Sequence, residues 1–244
     1  MLLAIDVGNS RVKVAVFEHN KQIELFIFES ENALKNFKKI LKKYPKAQKA
    51  ILSSVGKLDD ATEKLIHSTL KTEIVSHKTT FPFTNSYATP TTLGIDRMVL
   101  ASGAVLGYPK QNRLVIDAGT CITYDFIDAN DNYLGGAISP GLKIRYKSLN
   151  NYTEKLPLLE KKEIDTFIGN STENSIHSGI INGVCYEIEG FITQYLGEFQ
   201  DLTIILTGGD TDFLAKRLKN TIFANSNFLV ESLNLLSTYS NEND

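Results

Sequence analysis

Leu2-Leu3-Ala4-Ile5-Asp6-Val7-Gly8-Asn9-Ser10-Arg11-Val12-Lys13 decides the fold, because its pattern returns at Leu114-Val115-Ile116-Asp117-Ala118-Gly119-Thr120-Cys121-Ile122-Thr123. Each copy is an apolar run, an Asp, a small residue, a Gly, a polar side chain and a second strand-like run. Asp6 and Asp117 are 111 positions apart (117 minus 6), close to half of the 244-residue chain, and that spacing predicts a duplicated domain. An apolar strand running into Asp-x-Gly delivers a carboxylate at the strand end, while Gly lets the backbone turn sharply and approach a ligand. Backbone N–H groups, with the side chains of Asn9, Ser10 and Thr120, supply donors for phosphate oxygens. A carboxylate cannot sit on phosphate directly, so a cation has to lie between them. Asp6 is read as holding Mg²⁺ through oxygen or water, and Asp117 as a second candidate cation ligand. One isolated Asp-x-Gly would read as turn chemistry; two at half-chain spacing favour phosphate.

Composition narrows the partners. The chain is long enough for one large domain or two of ordinary size. A net charge of −2 without a basic block argues against nucleic acid and anionic membrane. The sequence lacks an apolar run of transmembrane length and starts directly in a strand-like pattern, so a cytoplasmic protein is expected. Cys121 and Cys185 have no zinc-type spacing, fit a reducing compartment and are expected to be packing residues. His19, His67, His77 and His177 are isolated, and no G-x-x-x-x-G-K-[ST] occurs, which argues against a P-loop kinase.

Along the chain, strands at the first stretch, at 12–17 and at 22–28 read as an antiparallel meander broken by the polar turn Glu18-His19-Asn20-Lys21. Ser30 is a candidate N-cap for an amphipathic helix over 31–43 with a lysine-rich outer face. A buried strand at 49–55 and a helix at 59–70 follow. Strand, strand, strand, helix, strand, helix is the order of the ribonuclease H-like domain, and this first half resembles that domain as it occurs in actin, Hsp70 chaperones and sugar kinases. The second half starts alike, with strands at 113–117, 121–127 and 133–138, a long helical pattern near 173–197, a strand at 202–206, helices at 213–218 and 229–239, and a polar tail from Ser240 expected to fray. The expected fold is α/β, two ribonuclease H-like (actin-like ATPase) domains, each a mixed five-stranded sheet flanked by helices. Gly107-Tyr108-Pro109 suggests division into 1–110 and 111–244, with the active site in the cleft between them.

Between the repeats, Tyr87-Ala88-Thr89-Pro90-Thr91-Thr92-Leu93-Gly94-Ile95-Asp96-Arg97 is an extended loop leading into a helix that begins near Asp96. An acid beside a guanidinium suits a small substrate carrying a carboxylate and a hydroxyl: Arg97 binds the carboxylate and Asp96 accepts the hydroxyl proton. The plain alternative is a dipole-favoured Asp with Arg in a surface ion pair. The ordered set Asp6-x-Gly8-Asn9-Ser10, Gly94-x-Asp96-Arg97, Asp117-x-Gly119-Thr120, Tyr133-Leu134-Gly135-Gly136-Ala137-Ile138-x-Pro140-Gly141, Gly169-x-x-Thr172 with Ser178-Gly179, and Thr207-Gly208-Gly209 resembles type III pantothenate kinase over nearly the whole chain.

That resemblance implies ATP-dependent phosphorylation of the pantothenate hydroxyl to 4′-phosphopantothenate, the first step of coenzyme A synthesis. It implies that Asp6, Val7, Gly8, Asn9, Ser10, Arg11, Val12 and Lys13 hold ATP with Asp6 on Mg²⁺, and that Thr120 contacts phosphate. Gly208 and Gly209 would approach the nucleoside, and Tyr87, Gly94, Ile95, Asp96, Arg97 and Thr172 the pantothenate, with Asp96 as proton acceptor. Asp117 matches the ligand of a monovalent cation, K⁺ or NH₄⁺, and a homodimer is implied. The sequence departs from the usual pattern at Ser10, Cys121, Asn170 and Ser171, and Lys13 stands where relatives often carry a hydrophobic residue. Two other classes are weighed. A nucleotide-binding regulator without catalysis would not need Asp96, and a sugar or acetate kinase fits poorly with the short chain and Gly94-x-Asp96-Arg97.

Overall fold

A computed structural model describes residues 1–8, 11–54 and 56–243. In chain order these form β1 (Leu2–Val7), β2 (Arg11–Glu18), β3 (Lys21–Glu29), α1 (Ala33–Lys43), β4 (Lys49–Ser54), α2 (Asp60–Thr69), β5 (Lys71–Ile74), β6 (Thr84–Asn85) and α3 (Ile95–Gly107). There follow β7 (Asn112–Ala118), β8 (Cys121–Ile127), β9 (Asn132–Pro140), α4 (Leu142–Asn151), α5 (Thr172–Glu198), β10 (Leu202–Thr207), α6 (Thr211–Ala215), β11 (Phe223–Ala224) and α7 (Phe228–Asn243). One sheet runs β3-β2-β1-β4-β5 and the other β11-β10-β7-β8-β9-β6. The duplication is explicit in the pairing. β1 is antiparallel to β2 and parallel to β4, just as β7 is antiparallel to β8 and parallel to β10. The second sheet carries one strand more than expected, the two-residue β6, which pairs with Asn132 and Tyr133.

Contacts group the chain into two units, one holding Met1–Pro109, Asp131–Tyr133 and the stretch from Asn227 onward, the other Lys110–Asn130 and Leu134–Ser226. The chain leaves the first unit after Pro109, returns to it briefly at Asp131–Tyr133 and again from Asn227, so this division differs from a simple cut into halves.

In the first unit, strand alternation sorts side chains onto two faces of the sheet. Leu3, Ile5, Val7, Val12, Val14 and Val16 pack with Phe37 and Ile40 of α1 and Ile66 of α2. Ala4, Ala15, Phe17 and Ile51 face the other way, against Val99 of α3 and Val230, Leu233 and Leu236 of α7. Small residues on this second face let both helices lie close. A Cβ at Gly103 of α3 would sit 1.8 Å from Ser232 Oγ of α7. The β2–β3 turn places His19 and Asn20 at φ of 49° and 62°, the left-handed pair that suits a two-residue hairpin.

Several local expectations are corrected. Ser30 opens a 3₁₀ turn over Ser30–Asn32 and does not cap α1, whose N-cap is Asn32. Asp59 caps α2, accepting from Thr62 N at 2.9 Å. The polar tail does not fray from Ser240: α7 runs to Asn243, and Lys49 Nζ donates to Asn241 Oδ1 at 3.1 Å. Cys185 is buried as expected, whereas Cys121 is exposed, since as the first residue of β8 it points away from the core that Ile122 enters. In the second unit, α5 carries Ile176, Ile180, Val184, Ile188 and Ile192 onto Leu114, Ile116, Tyr124 and Phe126. Among the described residues no helix is long and apolar enough to cross a membrane.

Candidate active site

In the first unit, Asp6, one residue before the end of β1, lies opposite Lys13 of β2 and Ser53 of β4. Register partners point to the same side of a sheet, so the three side chains share the face that α3 covers. Val7 and Val12 alternate into the opposite core, leaving only their backbone for a ligand. The turn is tight: Gly8 N donates to Arg11 O at 3.0 Å, and a Cβ on Gly8 would lie 3.1 Å from that oxygen. Gly56 seats the next loop on it, with its N–H on Val7 O at 2.9 Å and room for no side chain, since a Cβ would fall 2.3 Å from Gly8 O. The Arg11 side chain turns outward to Glu29 at 3.2 Å, an exposed ion pair. Asn9 and Ser10 lie outside the described residues.

Asp6 keeps part of its surface accessible, yet the protein around it strips enough water to push its pKa from 3.8 up to about 6. That desolvation is the main cause; Lys13 pulls the value down and the negative charge of Asp96 pushes it up. The last influence is informative, because it sets the carboxylates of a strand end and a helix start within electrostatic reach of each other. Asp96 stands in the first turn of α3, where its Oδ1 accepts from Arg97 N at 2.9 Å and so satisfies a helix N–H that has no intrahelical partner. Gly94, the N-cap, makes room for it: a Cβ there would lie 2.4 Å from Asp96 Oδ1.

Arg97 is not a surface ion-pair residue. It is 6% exposed and its guanidinium carbon lies 5.8 Å from the centre of the Tyr87 ring, a cation–π distance. Tyr87 is fixed by its N–H on Asn85 Oδ1 at 3.0 Å and by an edge contact with Tyr133 at 6.1 Å. Ile95 packs its side chain into the α3–α7 core. The first unit therefore brings together Asp6, Lys13, Tyr87, Gly94, Asp96 and Arg97, six of the seventeen residues expected for nucleotide and substrate.

The second unit repeats the hairpin. Asp117 ends the register of β7 opposite Thr123 of β8 and Thr207 of β10. Gly208 follows Thr207 at φ +100°, where a Cβ would lie 2.4 Å from both Asp117 Oδ1 and Ala118 O. Only glycine fits there. Gly209 has open space around it. Gly141, between β9 and α4, donates to Thr120 O at 3.0 Å and presses on the Gly119–Thr120 backbone. Arg145 pins that turn through Nε on Pro140 O at 2.8 Å and is held in turn by Glu187 at 2.5 Å. Burial works to raise the Glu187 pKa, but hydrogen bonds from Ser139 and Arg145 win and hold the carboxyl below its usual range. Thr172 is the exposed first residue of α5. The departures before it have a structural use, because Ser171 caps α5 by accepting from Asn174 N at 3.2 Å and Asn170 Oδ1 accepts from Asn174 Nδ2 at 2.9 Å.

Among the described residues no group of three or more His, Cys, Asp and Glu is placed to enclose a metal. One carboxylate, Asp6, stands beside a hydroxyl, Ser53 Oγ, that is buried without a hydrogen-bond partner. Magnesium keeps several waters and binds through one or two carboxylates plus phosphates, so these residues fit a hydrated cation brought by a nucleotide and would not suit a resident metal. Sequence reading passed over Ser53. Its only signal was a Ser-Ser pair closing a buried strand, and the neighbour it faces is set by parallel pairing across 47 residues of chain (53 minus 6).

A family model described as Type III pantothenate kinase matches residues 2–194. A type III pantothenate kinase of Flavobacterium johnsoniae is 57% identical over 244 residues, covering 100% of both chains. One of Flavobacterium psychrophilum is 54% identical over 239 residues, covering 98% of this chain and 99% of its own. Among solved structures, a ROK family glucokinase from Streptomyces griseus in complex with glucose and AMPPNP superposes with a TM-score of 0.52 at 10% identity, covering 97% of this chain and 98% of that one, a likeness of fold alone.

Proposed function

The chain belongs to the type III pantothenate kinase family, and from that premise we propose that Asp96 is the base that accepts the pantothenate hydroxyl proton as the γ-phosphoryl group of ATP is transferred. The product is 4′-phosphopantothenate, at the opening step of coenzyme A synthesis. The observation that carries the assignment of roles is the electrostatic reach between Asp96 and Asp6 on one face of the first sheet. A helix cap needs no such neighbour, whereas phosphoryl transfer needs a base on the side of the acceptor and a carboxylate on the side of the phosphates.

Each residue then has a task. Arg97, pre-set by stacking over Tyr87, pairs with the pantothenate carboxylate and so fixes which hydroxyl reaches Asp96. Gly94 keeps the Asp96 carboxylate folded over the helix start. The turn Asp6–Lys13, Asn9 and Ser10 included, offers N–H groups and one ammonium to the phosphates. Thr120, Gly208 and Gly209 supply the second hairpin's share of the same nucleotide, and Thr172 a further pantothenate contact. Mg²⁺ carried with ATP supplies charge neutralisation on the phosphate oxygens, with Asp6 as its protein ligand. Asp117, among backbone carbonyls such as Ala118 O, suits a monovalent cation, K⁺ or NH₄⁺. For a loose transition state positioning and charge account for most of the rate, so this set suffices. A cytoplasmic homodimer is part of the same proposal.

The experiment is ATP consumption with pantothenate, glucose or acetate, each in K⁺ and in Na⁺. Turnover with pantothenate alone, faster in K⁺, is expected; turnover with a sugar and none with pantothenate would overturn the reading.

A further inference from the structure

Ser53 is 1% exposed, and its hydroxyl has no hydrogen-bond partner among the described residues. A buried hydroxyl left unpaired is destabilising, so a strand tolerates one only where something else offsets it. Packing does not require a hydroxyl at this position. The preceding residue on the same face, Ile51, is apolar and fully buried, and an alanine would preserve the strand's shape at position 53. The adjacent Ser54, which points the other way, does have a partner, Gly56 O at 2.7 Å.

What Ser53 does have is its place. It is the β4 register partner of Asp6, on the face that Asp6 and Lys13 share, at the strand end where the Gly8 turn and Gly56 close on each other without side chains. An unpaired oxygen beside a strand-end carboxylate can accept a hydrogen bond from a water bound to a cation, a donor that arrives only with ligand. We propose that Ser53 Oγ is part of the cation seat, accepting a hydrogen bond from a water in the hydration shell of the divalent cation that enters with the nucleotide. This deepens the reading of Asp6 given above and rests on it. Ser53 then acts through the cation's water and touches neither the acceptor hydroxyl nor Asp96.

The test is calorimetric titration of ATP into the full chain with and without Mg²⁺, for the parent protein, Ser53→Ala and Ser53→Thr, with melting temperatures of each ligand-free protein. The expected result for Ser53→Ala is a melting temperature no lower than the parent's, metal-free ATP affinity unchanged, and Mg–ATP affinity reduced about 3- to 12-fold, which is the loss of one hydrogen bond between neutral groups. Ser53→Thr keeps the hydroxyl and is expected to restore the Mg²⁺ effect. Equal losses with and without Mg²⁺, or an unchanged Mg²⁺ effect in Ser53→Ala, would overturn the proposal. These binding readouts need no pantothenate, so they stand apart from the turnover assay, where failure would strike the assigned function instead.

Discussion

Replacing Asp6 by Asn is expected to stabilise the ligand-free protein at pH 8 while abolishing its use of Mg–ATP. The folded carboxyl has its pKa pushed from 3.8 up to about 6. A raised acid pKa means that the folded state binds its proton more tightly than the unfolded chain does, so the ionised carboxylate opposes folding. The penalty is absent below about pH 4, grows as pH rises through the window from 3.8 to 6, and is complete above it. Each pKa unit is worth about 1.4 kcal/mol, which puts the full penalty at no more than about 3 kcal/mol. In a chain of this size 1 kcal/mol moves the melting temperature by about 2–4 °C, so Asp6→Asn gains up to about 6–12 °C at pH 8. Differential scanning calorimetry in EDTA at pH 8 and pH 4.5 measures the difference, which should shrink to about a third at the lower pH, since 4.5 lies inside the window from 3.8 to about 6. A variant that melts below the parent at pH 8, or gains the same amount at both pH values, would refute desolvation as the cause.

Asp96→Asn is expected to lower turnover about 10²–10⁴-fold with ATP affinity nearly unchanged, seen by steady-state kinetics beside a binding titration; a loss of ATP affinity at full turnover would make the residue structural. Asp117→Asn should remove the difference between K⁺ and Na⁺ in the rate assay while leaving the protein folded by circular dichroism. Gly103→Ala places a Cβ against Ser232 Oγ and must push α3 and α7 apart. A loss of about 1–3 kcal/mol in urea unfolding is expected, with partial rescue in Gly103→Ala/Ser232→Gly.

The duplication was legible in the sequence because both hairpins carry the same ordered punctuation, Asp and then Gly, at the end of an apolar run, and local chemistry alone sets such turns. The long helices were legible for the same kind of reason, since Ile176, Ile180, Val184 and Ile188 recur at helical spacing over more than three turns of α5. What escaped was whatever depends on partners distant in sequence. β6 has two residues and exists only because Asn132 and Tyr133 lie beside it. Ser53 gains its meaning from the strand opposite. The helical extension to Asn243 draws on Lys49 from the fourth strand of the chain. Around Asp96 and Arg97 the sequence identified the residues but left open whether the arginine was a surface group; its stacking on Tyr87 depends on how the loop folds back.

The last helix also dictates an order of assembly on the ribosome. Val230, Leu233 and Leu236 close one face of a sheet whose strands are all made before residue 75, so Ala4, Ala15 and Ile51, met first by Val99 of α3, wait for the rest of their cover until the chain passes Phe228. The compact body begun second, Lys110–Asn130 with Leu134–Ser226, is complete before the one begun first. A nascent chain halted between α3 and α7 presents a half-covered apolar sheet, the kind of state that chaperones bind and proteases cut.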